Sequence, residues 1–232
     1  MKANDVTSAL KSISDKQKAL TYQRFFKTGK GEYGEGDIFL GISVPDLRKI
    51  AKQYKDLSHK EIEVLLQSKI HDHRLVALLI LVDQFNKGDQ DIKKHVYDIY
   101  IKNSKKVNNW DLVDLSAGYI VGQYLFEKDR SILDTLATSN NLWERRISII
   151  ATFAFIRKDD FHTTLHIAEI LLHDEHDLIH KAVGWMLREV GKRDLAVEEG
   201  FLKKYYKIMP RTMLRYAIEK FDEKQRQYYL KK

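Results

Sequence analysis

The sequence contains no cysteine. That absence excludes disulfides, Cys-ligated zinc and iron–sulfur clusters. Prolines are almost absent too: Pro45 and Pro210 are the only two in 232 residues, and so few breakers favour helices. No run approaches 18 uncharged apolar residues, so no membrane span is expected. The opening Met1-Lys2-Ala3-Asn4-Asp5 lacks the apolar core of a secretory signal, which makes a cytoplasmic location the expectation. Glycines number eleven, and four of them fall within residues 27–37. Gly29-Lys30-Gly31-Glu32-Tyr33-Gly34 formally matches G-x-G-x-x-G. However, a helical pattern and not a strand precedes it, so the context of a dinucleotide fold is missing. The phosphate-binding pattern G-x-x-x-x-G-K-[ST] does not occur.

What the chain has instead is positive charge and helical periodicity. Lys and Arg total 40 against 33 Asp and Glu, a formal charge of +7, which suits a polyanionic partner. Hydrophobic residues make up 44%, enough for a sizeable core. Apolar residues recur at helical spacing, as in Leu75, Leu78, Leu79, Val82 and Phe85, and no convincing alternating strand appears. One N-terminal helix is expected at about residues 5–26. A flexible glycine-rich loop at 27–37 should follow, and then a helix with Pro45 in its first turn. Ser58 and Glu61 have the spacing of a capping box.

Segments 74–78, 111–115, 146–150, 181–185 and 215–218 begin 37, 35, 35 and 34 residues apart. Each opens on a charge and runs into an apolar helix, with second helical stretches between, such as 92–101 and 160–172. A helix pair repeating at this period predicts an all-α fold, an α-solenoid of HEAT or armadillo type. The expected organisation is a single domain over 1–232, with the N-terminal helix and glycine-rich loop at about 1–44 and the repeats at about 45–232.

His162, His166, Glu169, His173 and His176 would share one face of a continuous helix. His173-Asp174-Glu175-His176-Asp177 reads as a turn that breaks that face, so no metal is expected, and no cofactor. His71-Asp72-His73 reads as the first turn of a helix. The richest constellation is Val107-Asn108-Asn109-Trp110-Asp111-Leu112-Val113-Asp114. Trp110 and Asp114 stand four apart, one helical turn on one face. Asp114 occupies a repeat position held elsewhere by Ala77, Ile149, Gly184 and Ile218, so an acid there needs a partner or a purpose. Arg146 opens the next repeat and Trp185 lies in the one after. Packed tryptophans and an Asp114–Arg146 ion pair are the structural alternative.

At these residues the sequence resembles the DNA alkylation repair family, the AlkD-like alkylpurine DNA glycosylases. The matching pieces are residues 39–48, 109–114, 142–147 and 182–189, in the family's order. The resemblance implies a HEAT-like solenoid whose concave basic face holds double-stranded DNA, and a monomer. It implies hydrolytic excision of cationic N3- or N7-alkylated purines, with no deep pocket capturing the base. It assigns the catalytic acid to Asp114, aromatic sugar contacts to Trp110 and Trp185, and DNA contacts to Arg146, Arg188 and Arg48. A non-catalytic HEAT-type module that binds DNA or a protein partner shares the fold and the charge, and stands as the alternative.

Overall fold

The computed structural model describes residues 1–231. Among them the chain is all-α. No β-strand forms, and an isolated bridge between Ile38 and Ile70 is the sole strand-like pairing. The chain clusters into two compact units, Met1–Ile120 and Val121–Lys232.

The first unit contains α1 (Ala3–Ser12), α2 (Lys16–Phe25), α3 (Val44–Gln53), α4 (His59–Leu66), α5 (His71–Lys87), α6 (Gln90–Lys102) and α7 (Trp110–Asp114). Helix α5 is the hub, packed by α3, α4, α6, α1 and α7. Leu75, Val76, Ala77, Leu78, Leu79, Ile80 and Leu81 are all buried, so this helix is apolar around its circumference, as a core helix must be. Each fully buried Leu or Ile contributes about 1.5–3 kcal/mol.

The N-terminal region departs from the single helix expected. The chain breaks at residues 13–15, because Asp15 Oδ1 accepts from the amides of Gln17 (2.9 Å) and Lys18 (3.0 Å) and starts α2 afresh. The Asp15 amide in turn donates to the Leu40 carbonyl (2.9 Å). Gly41 makes that approach possible: its φ is +78°, and a Cβ there would overlap the backbone of Asp15 and Ala19. Pro45 sits in the first turn of α3, as expected, and Ser43 caps that helix. The Ser58–Glu61 capping box does not form. Ser58 precedes α4 without a side-chain cap, and Glu61 Oε2 instead accepts from the amide of Ala3 (2.7 Å), a free donor at the start of α1.

The second unit contains α8 (Gln123–Leu125), α9 (Ser131–Ala137), α10 (Leu142–Ala151), α11 (Phe153–Ile156), α12 (His162–Ile170), α13 (Asp177–Arg193), α14 (Leu195–Tyr205), α15 (Arg211–Ala217) and α16 (Glu223–Leu230). Within it α10, α13 and α15 pack in a row, while α9 and α12 pack beside each other. Gly184 lets α13 approach α15 closely, since a Cβ would run into the Met213 carbonyl and Tyr216. The five repeat segments begin inside α5, α7, α10, α13 and α15, and α6, α9, α12 and α14 intervene. The helix-pair repeat is therefore real. The histidine stripe is broken as the sequence suggests, because residues 174–176 leave the helical path between a short 3-10 turn and α13.

Candidate active site and nucleic-acid interface

The sequence candidates fall three to each unit. In the first, Trp110 and Asp114 are the two ends of the short helix α7, and both are half-buried. Asn109 starts this helix. Its backbone is extended, and its side-chain oxygen accepts from the Trp110 amide (2.9 Å). The helix entry is held from below by a buried carboxylate. Asp37 takes a 2.6 Å ion pair from Arg74 Nη2, and amide donors from Asn108 and Asn109 at 3.3 Å each. Asp37 is 6% exposed and Arg74 is 2% exposed, so this pair is shielded from water and breaking it leaves a bare buried charge. One residue along, Asp111 accepts from His71 Nε2 (2.9 Å).

Trp110 ends a column of stacked rings. Phe26 lies parallel to it (5.2 Å, 15°), Phe39 stacks on Phe26 (4.7 Å, 21°), and His71 stacks on Phe39 (4.3 Å, 24°). Such ring pairs add about 0.5–1.5 kcal/mol each beyond area burial. The indole is thus fixed on one face by Phe26.

Asp114 sits in the last turn of α7, where a negative charge opposes the helix dipole. Helix stability does not explain its presence. Behind it, fully buried Tyr100 meets Ser116 Oγ at 2.9 Å. Ser116 donates its only hydroxyl proton to the Leu112 carbonyl (2.5 Å), so the Tyr100 hydroxyl must be the donor toward Ser116. Burial pushes the Tyr100 phenol up, and the Asp114 charge pushes it further in the same direction. Tyr100 therefore stays neutral and adds no charge of its own beside Asp114.

Arg48 is exposed on α3 and lines a cleft of about 490 Å³. Lys52, Lys55 and Lys87 line it too, against one acid, Asp83, which pairs with Lys87 (2.7 Å). Arg48 and Lys52 stand one turn apart on α3, Lys55 lies in the turn just past its end, and the cleft wall includes Leu115, the residue after Asp114.

In the second unit, Arg146 on α10 is 5% exposed and its Nη1 donates to the Leu178 carbonyl (2.6 Å). Trp185 on α13 is half-buried, its Nε1 donates to Glu189 (3.1 Å), and Phe153 lies 6.0 Å from its ring. Arg157 covers the same Phe153 ring at 4.3 Å. Arg188 is ion-paired with Glu219, and its Nε stands 3.9 Å from Glu189.

The pattern of DNA alkylation repair enzymes matches residues 6–221, nearly the whole chain. The chain belongs to the DNA alkylation repair enzyme family. Its fold is similar to that of a predicted DNA alkylation repair enzyme from Enterococcus faecalis, at 18% identity over 90% of this chain and 97% of that one, with a TM-score of 0.73. It is also similar to AlkD2 from Streptococcus mutans, at 17% identity over 90% and 99% of the two chains, with a TM-score of 0.56. No curated protein matches the chain.

Within this family member, the supports of α7 are what the sequence reading missed. Asp37 and Arg74 are 37 positions apart, and neither stands out locally. Lys52 and Lys55 were findable, because they follow Arg48 at intervals of four and three.

Proposed function

We propose that the chain is a DNA glycosylase of base excision repair, a hydrolase cutting the N-glycosidic bond of cationic N3- and N7-alkylated purines in double-stranded DNA. The observation that carries this reading is α7. A carboxylate that helix stability does not call for is held one turn from a fixed indole, and the next residue borders a basic cleft.

The chemistry follows from charge. An N7-alkylated guanine or N3-alkylated adenine is already positive and leaves as a neutral base, so it needs little general-acid assistance. Positive charge moves onto the deoxyribose as the bond stretches, and a carboxylate beside the ring stabilises it. At ~4 Å such a pair is worth ~1 kcal/mol in water and ~4 kcal/mol at an effective dielectric of 20. It speeds the reaction only by the excess over its ground-state value. Asp114 also accepts a hydrogen bond from the attacking water and so orients it. One acid then suffices where sugar hydrolases commonly use two. The electron-rich face of Trp110 favours the cationic sugar.

Arg48, with Lys52, Lys55 and Lys87, is assigned to phosphates. Trp185, Arg146 and Arg188 are assigned as the second unit's DNA contacts. For Arg188 this means a phosphate taking the place of Glu219. Duplex binding should weaken steeply with salt as counterions are released.

The decisive assay incubates the protein with methylated duplex DNA and measures free 7-methylguanine. Wild type should release it, and Asp114→Asn should release none while keeping duplex affinity. Equal release by the variant removes Asp114 from the mechanism. The near-complete burial of Arg146 and the internal pairing of Arg188 favour one second reading, a helical-repeat DNA-binding or scaffold module without excision activity. Duplex binding with no release of base would select it.

A further inference from the structure

The first unit holds a second cavity, of about 380 Å³, with a lining unlike that of the basic cleft. Its walls are aromatic and aliphatic: Tyr22, Phe25, Phe26, Phe39, Leu47 and Leu75 among them. Three of its polar liners, His71, Asp72 and Asp111, are buried. The rim is open to solvent at Thr21, at Phe25 (63% exposed) and at Val44. A cavity of this size with apolar walls and a few convergent polar groups has the build of a small-molecule site.

The walls and the polar groups select different features of a ligand. Rings on several sides favour a flat π-system, and their electron-rich faces favour a cation over an anion. His71 and Asp111 pair with each other at 2.9 Å, which balances those two groups. Asp72 is left as an excess acid. Its oxygens accept from the amides of Leu40 (2.8 Å) and Ile42 (3.4 Å), and no cationic side chain pairs with it among the described residues. With His71 set against Asp111, the lining carries one acid more than it has basic groups. Burial pushes the Asp72 carboxyl up, while the Leu40 and Ile42 amides and the nearby His71 charge work against that rise.

We propose that this cavity is a binding site for a planar heteroaromatic cation of about two fused rings, entering past Thr21 and Phe25 and seated among the aromatic rings with its charge toward Asp72. Asp114, Trp110 and Arg48 do not line this cavity, although Phe26, which backs the Trp110 ring, forms part of its wall, so ligand binding and base release are read separately in the test.

The test is calorimetric titration of the intact protein with three probes of matched shape: 1-methylquinolinium, neutral quinoline at pH 8, and 1-naphthoate. The cation should bind saturably at one site. Quinoline should bind roughly tenfold more weakly, the scale of a desolvated cation–π contact, and naphthoate should not bind. Thr21→Trp, at an exposed helix position, should abolish binding of the cation while leaving the melting temperature and 7-methylguanine release unchanged. Asp72→Asn should lower affinity for the cation and leave quinoline unaffected. Overturning results are absence of saturable binding, naphthoate binding as tightly as the cation, or full affinity in Thr21→Trp.

Discussion

Each unit of the molecule buries a carboxyl group, and the two are treated in opposite ways. Asp37 in the first unit is enclosed by donors: a guanidinium and two side-chain amides. Glu198 in the second unit is 1% exposed, one of its oxygens has no hydrogen-bond partner, and its carboxyl is pushed up to about 8, chiefly by burial. It packs where Gly191 leaves room, since a Cβ at 191 would overlap its carboxylate. A buried acid either collects donors and becomes a fixed anion, or keeps its proton and behaves as a polar filler. The first kind organises a site. The second kind makes stability depend on pH.

The largest expected effect comes from breaking the donor-rich case. Asp37→Ala leaves Arg74 charged and unpaired in the interior, which should cost about 3–5 kcal/mol in denaturant unfolding. The double variant Asp37→Ala/Arg74→Met should recover a large part of that. Recovery of stability without recovery of base release would separate the fold's need for the pair from the need of α7 for its anchor.

Glu198→Gln sharpens the other half of the comparison. The folded chain holds a proton on Glu198 that the unfolded chain releases near the ordinary value of 4.5. The stability carried by the neutral acid is therefore complete below 4.5 and declines as the pH rises through about 8. Melting curves between pH 4.5 and 9 should show wild type losing several kcal/mol of stability that the glutamine variant retains. Parallel curves for the two proteins would mean that Glu198 titrates normally.

The smallest expected effect is at Tyr100→Phe. This removes the donor toward Ser116 while leaving the ring, and should lower stability by about 1 kcal/mol. A larger loss of base release than of stability would mark Tyr100 as a residue that positions the environment of Asp114.

Much of this was legible in the sequence where the signal is local. The repeat helices announce themselves through charged openings and apolar spacing. Trp110 and Asp114 read as two residues one helical turn apart, and they are the two ends of α7, whereas the capping role of Asn109 was not read from the sequence. What escaped was partner choice over long separations. Glu61 had the spacing to cap its own helix, yet it serves Ala3, 58 positions away. Asp15 breaks what apolar spacing presents as one helix. Asp37 closes a glycine-rich run that reads as a flexible loop, and nothing within that run reveals that its last residue is fixed by Arg74. Long-range hydrogen bonds of this kind depend on which groups tertiary packing leaves unsatisfied, and periodicity does not encode that.

The glycine-rich segment has one practical consequence. Gly31 and Gly36 adopt positive φ, and an added Cβ would meet nothing within 4 Å at either position, whereas at Gly34 it would meet the Phe26 carbonyl at 2.5 Å. Extra length beside Gly31 would bulge into open solvent without dragging on Asp37. A short glycine–serine insertion carrying a dye could be spliced there as a reporter of DNA engagement.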